Sequence, residues 1–269
     1  MKRNIYLKTI PPAEAVARVK ASIDREKLIR EETIPAHEAS GRVLAHAVHA
    51  RYSAPTFHSA AMDGYAVNAR ATFTAREGHP LTLRAGESCF AVNTGHPMPE
   101  GCDAVIMIEQ VVQNGDEITI EAPAFPWQHV RRIGEDIVAT ELLFPRNHHL
   151  RPWDVGALLS GGIWDVPVWE RVSVRIIPTG DEVLDFTAHP DPGKGQVVES
   201  NSQMLAALAR ELGCTVERVT PVRDDPEALH QALRDSLDAG THLTIFCAGS
   251  SAGSKDFTRA TLEKEGEIL

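Results

Sequence analysis

No Cys-x-x-Cys pair occurs in this sequence. Its four cysteines, Cys89, Cys102, Cys214 and Cys247, lie far apart along the chain. That scatter argues against a structural zinc site or a disulfide framework and makes reduced thiols in a cytoplasmic protein the expectation. No run rich in lysine and arginine is present either. With 27 basic and 37 acidic residues the formal net charge is −10, so no nucleic-acid partner is expected. No apolar run approaches a membrane span, and the opening MKRNIYLKTI lacks the apolar core of a signal peptide. Internal repeats and low-complexity tracts are absent. His148 and His149 are adjacent, so they share no helix face, and no ligand spacing surrounds them; they read as a solvated loop.

What is present suits an ordinary globular protein, with 43% hydrophobic and 24% charged residues. A chain of 269 residues has room for two domains or more. Pro11 and Pro12 open a helix expected from Ala13 to about Arg30, with Val16, Val19 and Ile23 on one face as a packing stripe. From about Ala50 to Pro126 the chain turns rich in glycine, proline and threonine. Short alternating runs there (Leu81–Leu83, Glu117–Ile120) are separated by turn signals such as Asn114-Gly115-Asp116, which reads as a small β-rich domain. Pro152 sits near the start of a helix expected from Asp154 to Leu159, which stops at Gly161-Gly162. From Arg171 strands and helices alternate: strand 172–177, helix 201–212 capped by Asn201, strand 215–219, helix 226–237, strand 243–247 and helix 256–265. Apolar strands alternating with helices predict a mainly parallel sheet covered on both faces.

Six segments could carry chemistry. In SAAMDGYAV, Asp63 sits at a turn whose Gly64 supplies a positive φ. Such an acid can reach a ligand or metal; equally, it can close a hairpin turn by bonding its own backbone. The loop from Ala248 to Asp256 follows a buried strand and precedes a helix, the ligand crevice of an open α/β sheet. Its small residues would let backbone N–H groups approach an anion, helped by the hydroxyls of Ser250, Ser251 and Ser254; loops of this kind also join strand to helix with no ligand. Pro178-Thr179-Gly180-Asp181-Glu182 opens on the same crevice, or is a solvated strand end. Asp225 before Pro226 is a natural helix N-cap, which leaves any functional role there to Asp224. The loop from Thr94 to Gly101, stiffened by Pro97 and Pro99, either closes a β-domain edge or presents a side chain. Arg131, Arg132, Glu135 and Asp136 read as surface ion pairs.

MDGYA, NTGHPMPEGCDAV, RRIGED, PTGDE, VRDDPEAL and CAGSSAGSKD, in this order and at these intervals, resemble the molybdopterin molybdenumtransferase family, the MoeA and gephyrin E-domain proteins. The resemblance covers nearly the whole chain. It implies a multi-domain α/β plus β fold. Residues 1–49 and 128–170 would form an elongated helical domain, 50–127 an inserted β-rich domain, and 171–269 an incomplete three-layer MogA-like α/β domain, with another strand expected after Leu269. The implied reaction inserts molybdate into adenylylated molybdopterin with release of AMP, using Mg2+. The implied catalytic residues are Asp63, Glu182 and Asp256, with Glu182 and Asp256 as metal ligands. Substrate would bind Thr94, Asp136, Asp224, Gly249, Ser250, Ser251, Gly253 and Ser254. Lys255 is the one lysine of the crevice loop. Ala248 stands where the family has a glycine, and Ser254 where many members carry an acid. A homodimer is implied, with the molybdopterin adenylyltransferase as a further partner. The alternative is a non-catalytic molybdopterin-binding or scaffold protein of the same fold.

Overall fold

A computed structural model describes residues 10–24, 28, 30–247 and 257–269. The chain forms two compact units, Thr33–Val168 and Met1–Glu32 together with Trp169–Leu269.

Two of the first unit's three apolar cores define its layout. One lies between two three-stranded antiparallel sheets. Gly64–Val67 runs between Cys89–Val92 and Ala104–Met107, and Glu117–Ile120 runs between Leu81–Arg84 and Val111–Asn114. Alternate residues of these strands share a face. Tyr65, Val67, Leu83, Cys89, Ile106, Ile118 and Ile120 therefore close on each other from the two sheets. The expected turn is present: Gly115 (φ +61°) and Asp116 connect the paired residues Asn114 and Glu117. The opposite face of the first sheet buries Ala66, Val92 and Val105 with Ala60 and Val130. Gly64–Val67 is thus buried on both sides, a rigid foundation for the residue that precedes it.

The other core gathers Leu44, Val48, Phe144, Leu150, Leu158, Val166 and Val168 around the helix Pro152–Ser160. Asp154, 3% exposed, accepts from the Arg151 N–H at 2.9 Å, from its guanidinium at 3.1 and 3.2 Å, and lies 2.8 Å from His148 Nε2. Burial alone would raise this carboxyl, but these donors outweigh it and hold the group well below the usual carboxylate range. His148 is therefore no solvated loop residue, as the sequence suggested. It is locked between Asp154 and the Phe144 ring, whose centroid lies 4.7 Å away, a partnership that depends on residues folding back from either side of it.

In the second unit a parallel sheet runs in the order Thr215–Arg218, Ser173–Pro178, Leu243–Cys247. Helix Asn201–Glu211 packs on it through Ala206 against Val174 and Ile176. Helix Pro226–Asp238 buries Leu229, Ala232, Leu233 and Ser236, the i, i+3, i+4, i+7 stripe of a helix lying on a core. Its Asp225 accepts from the Ala228 N–H at 3.0 Å and is the expected N-cap. Helix Thr258–Glu265 fastens to it through Glu265, which binds His230 at 2.7 Å and Arg234 at 3.1 Å.

Two helix expectations need correction. The first helix spans Pro12–Ser22 and does not reach Arg30; at Ile23 the backbone turns extended (φ −86°, ψ 113°). None of its residues is buried, so Val16, Val19 and Ile23 are 41–52% exposed and pack no core. Nor does Asn201 cap helix 201–211. Glu199 reaches forward to accept from the Ser202 N–H and hydroxyl, both at 2.7 Å, because a two-carbon side chain spans from just outside the helix to its first free donors.

Candidate functional site

Around Asp63 the backbone is tied on two sides. Ser59–Ala60 pairs antiparallel with Val130–Arg131, Ala60 opposite Val130. On its other edge the Ala60 N–H donates to the His96 carbonyl at 2.9 Å, Gly95 N–H to the Ala60 carbonyl at 2.8 Å, and Met98 N–H to the His58 carbonyl at 2.9 Å. His58 joins both sides, since its Nδ1 accepts from the Ile133 N–H at 3.1 Å while its ring meets Trp127 at 4.8 Å. The Thr94–Pro99 loop and the Arg131–Asp136 turn are thereby held against one strand.

Asp63 follows that strand. Its Oδ1 accepts from the Thr94 N–H at 2.7 Å and from the Thr94 hydroxyl at 3.0 Å. The backbone bond, then the hydroxyl, and last the nearby His96 hold the carboxyl below its ordinary value. Both bonds fall on Oδ1, so Oδ2 is the acceptor left for a ligand, and the residue is exposed. The hairpin alternative, a carboxylate bonded to its own turn, gives way to a contact with a residue 31 positions away. Gly64 has φ +155°, and a Cβ there would lie 1.9 Å from the Ile106 carbonyl oxygen. Only glycine admits this close approach of two strands.

In the α/β unit the strand ends form a second site. Past Pro178 the rim is closed by Thr179 N–H to the Cys247 carbonyl (3.1 Å) and Gly180 N–H to the Val222 carbonyl (3.0 Å). A cavity of about 340 Å³ opens here, lined by Thr179, Glu182, Glu199, Ser200, Asn201 and Cys247 among others. It lies at the carboxyl ends of parallel strands, where open α/β sheets bind ligands. Glu182 is exposed and folds back over Gly180: a Cβ at that position would come within 3.0 Å of Glu182 Oε2. Glu199 is 5% exposed and its oxygens are engaged by the helix start. Burial, and secondarily the Glu199 charge, push the Cys247 thiol up, so it packs as a neutral group.

Two family models match the chain, the MoeA N-terminal region (domain I and II) over residues 10–162 and the probable molybdopterin binding domain over residues 175–268. The chain belongs to the MoeA family. It is 30% identical to a putative molybdopterin biosynthesis protein of Methanocaldococcus jannaschii, covering 100% of this chain and 70% of that one. It is 33% identical to molybdopterin molybdenumtransferase 2 of Mycobacterium tuberculosis, covering 86% of this chain and 60% of the relative. A crystal structure of the molybdopterin biosynthesis MoeA protein from Pyrococcus horikosii superposes with a TM-score of 0.76 at 27% identity, covering 96% of this chain and 67% of that one. This MoeA-family chain thus spans about three-fifths to seven-tenths of the length of these relatives.

The structure joins Asp63 directly to Thr94 and sets Glu182 on the crevice. Asp136 stands on the neighbouring turn, its N–H donating to the Ala54 carbonyl at 3.0 Å. Beside it the Glu135 carboxylate accepts from the Arg132 N–H at 3.0 Å, a bond within the turn where sequence suggested surface ion pairs. Asp224 donates its N–H to Asp181 Oδ1 at 3.3 Å, so Asp181 serves the rim. Gly249, Ser250, Ser251, Gly253, Ser254 and Asp256 lie outside the described residues. Among the described residues no group of three or more His, Cys, Asp or Glu could hold a metal ion, so no step is assigned to magnesium. Sequence reading missed His58 and Glu199. The Glu-Ser-Asn-Ser run before a helix was a legible capping signal for Glu199; nothing local marked His58.

Proposed function

We propose that this chain acts in molybdenum cofactor biosynthesis as a molybdopterin molybdenumtransferase, inserting molybdate into adenylylated molybdopterin with release of AMP. The observation that carries this reading is Asp63, an exposed carboxylate kept ionised by two Thr94 donors on a strand clamped from both sides. A ground-state acid fixed in this way costs no reorganisation when a positively polarised or donor group arrives. Its counterpart is the α/β crevice. Glu182 supplies a second acceptor there, the residues Ser200 and Asn201 supply donors, and Gly249, Ser250, Ser251, Gly253, Ser254 and Asp256 complete the phosphate-binding side. Thr94, Asp136 and Asp224 shape the approach.

The assembly in this reading is a cytoplasmic homodimer, with magnesium as the metal. In the same reading residues 50–127 are the inserted β-rich domain and 1–49 with 128–170 the elongated one; the separate cores around Ile118 and around Leu158 support the split within residues 33–168, whereas 1–32 group with 169–269. Asp63→Ala decides the matter. It should leave the thermal midpoint unchanged and abolish most molybdate-dependent AMP release from adenylylated molybdopterin. Unchanged turnover at an unchanged midpoint returns Asp63 to a purely structural turn.

A further inference from the structure

The central strand of the α/β unit has a second functional-looking end. At the amino-terminal edge of the sheet, away from the Glu182 crevice, lies a cavity of about 520 Å³ whose lining includes Arg30, Glu170, Arg171, Ser173, Thr241 and His242. Ser173 Oγ lies 2.8 Å from His242 Nδ1, and His242 Nε2 lies 3.2 Å from Glu170 Oε1. The Ser173 N–H also donates to Nδ1 at 3.0 Å. Nδ1 is therefore the bare nitrogen, and Nε2 carries the proton toward Glu170. Glu170 is itself fixed: its Oε1 accepts from the Arg30 N–H at 3.1 Å, and its own N–H donates to the Arg30 carbonyl at 2.9 Å. The His242 N–H donates to Ser173 Oγ at 3.1 Å, a donor placed to steady negative charge on that oxygen. Side-chain exposures of 16% for His242 and 27% for Glu170 leave the trio shielded yet reachable.

A hydroxyl, a base whose bare nitrogen faces that hydroxyl and an acid on the other ring nitrogen are the parts of a serine nucleophile relay, recognised by geometry and not by chain order; here the Ser173 N–H shares the same Nδ1 lone pair with the hydroxyl. We propose that Ser173, His242 and Glu170 form a hydrolytic centre, separate from the crevice, that takes small carboxylic esters bearing an anionic group, with Arg30 and Arg171 as the cationic residues of the cavity. Ser173 Oγ forms a bond to the ester carbonyl carbon as the bond to the leaving oxygen breaks. His242 Nδ1 takes the hydroxyl proton and returns it to the departing alcohol. Water then attacks the acyl-serine, giving its proton to Nδ1, and the acid is released with Ser173 restored. Ser173 and His242 are the catalytic residues; Glu170 positions the imidazole.

The test applies an alkyl fluorophosphonate to the whole 269-residue chain, where Oγ–P forms as P–F breaks and fluoride leaves with the hydroxyl proton. Mass spectrometry should map the label to Ser173, at a rate roughly a hundredfold above that of the heat-unfolded chain. Hydrolysis of 4-nitrophenyl succinate should vanish in Ser173→Ala and fall about a hundredfold in His242→Gln. Glu170→Gln should slow labelling and displace its pH profile while the circular-dichroism melting curve holds, which a merely structural glutamate would not do. A folded, unmodified chain with no label on Ser173, or hydrolysis retained by Ser173→Ala, overturns the proposal and leaves the trio as a fastening between two strand starts. The labelling arm uses the native sequence, so a variant that fails to fold does not obscure the answer.

Discussion

The two candidate sites treat their acids in opposite ways. Asp63 is exposed and anchored through one oxygen by Thr94, with rigidity supplied by backbone straps on either side. Glu199 in the crevice is 5% exposed and spends both oxygens on Ser202 at the start of helix 201–211. The first acid is available to a ligand because neighbouring backbone holds it; the second is unavailable because it does the holding. Glu182, exposed and folded over Gly180, is the crevice acid that resembles Asp63 in access, but it has only a glycine turn beneath it. A fixed, accessible acid therefore belongs to the β-rich side, whereas the α/β side offers a shaped cavity.

The strongest way to break the comparison is at Gly64. A Cβ 1.9 Å from the Ile106 carbonyl oxygen cannot be accommodated without parting two strands. Gly64→Ala should therefore cost roughly 3 kcal/mol or more in urea unfolding, combining backbone strain and overpacking. A loss below about 1 kcal/mol would mean that the strand pair yields easily and that the Asp63 platform is not rigid.

Glu199→Ala removes a buried acceptor and a helix cap together, with an expected loss of about 2 kcal/mol. Glu199→Gln should lose less, because its carbonyl oxygen can still accept from Ser202. Equal losses in both variants would show that charge at the helix start matters more than the hydrogen bonds.

Thr94→Val is the gentlest change and sharpens the contrast most. It removes the hydroxyl donor and keeps the N–H bond. The Asp63 carboxyl, followed by NMR, should titrate below the ordinary carboxylate value in the unmodified chain and move part-way back in the variant. The sign follows from the depressed folded-state value: the stabilising contribution is present above the unfolded-state pKa and is lost as pH falls through the folded one. An unmoved titration in Thr94→Val would assign the whole effect to the backbone.

Local chemistry determined a good part of this protein from the sequence alone. Gly64 beside Asp63, Asp225 before Pro226, the turn at Gly115 and the alternating apolar strands of the α/β unit are each legible because the cause lies within a few residues. The stripe Leu229, Ala232, Leu233 and Ser236 shares one helix face by its spacing, but its burial is seen only in the fold. Tertiary structure decided the rest. Asp63 meets Thr94 across 31 residues, and Ser173 meets His242 across 69. His58 links two loops by its carbonyl and its ring at once. The stripe of Val16, Val19 and Ile23 had the periodicity of a packed face, yet the helix buries none of it. Periodicity records which residues share a face; whether another surface lies against that face depends on where the remaining chain is folded, a long-range fact that no local window contains.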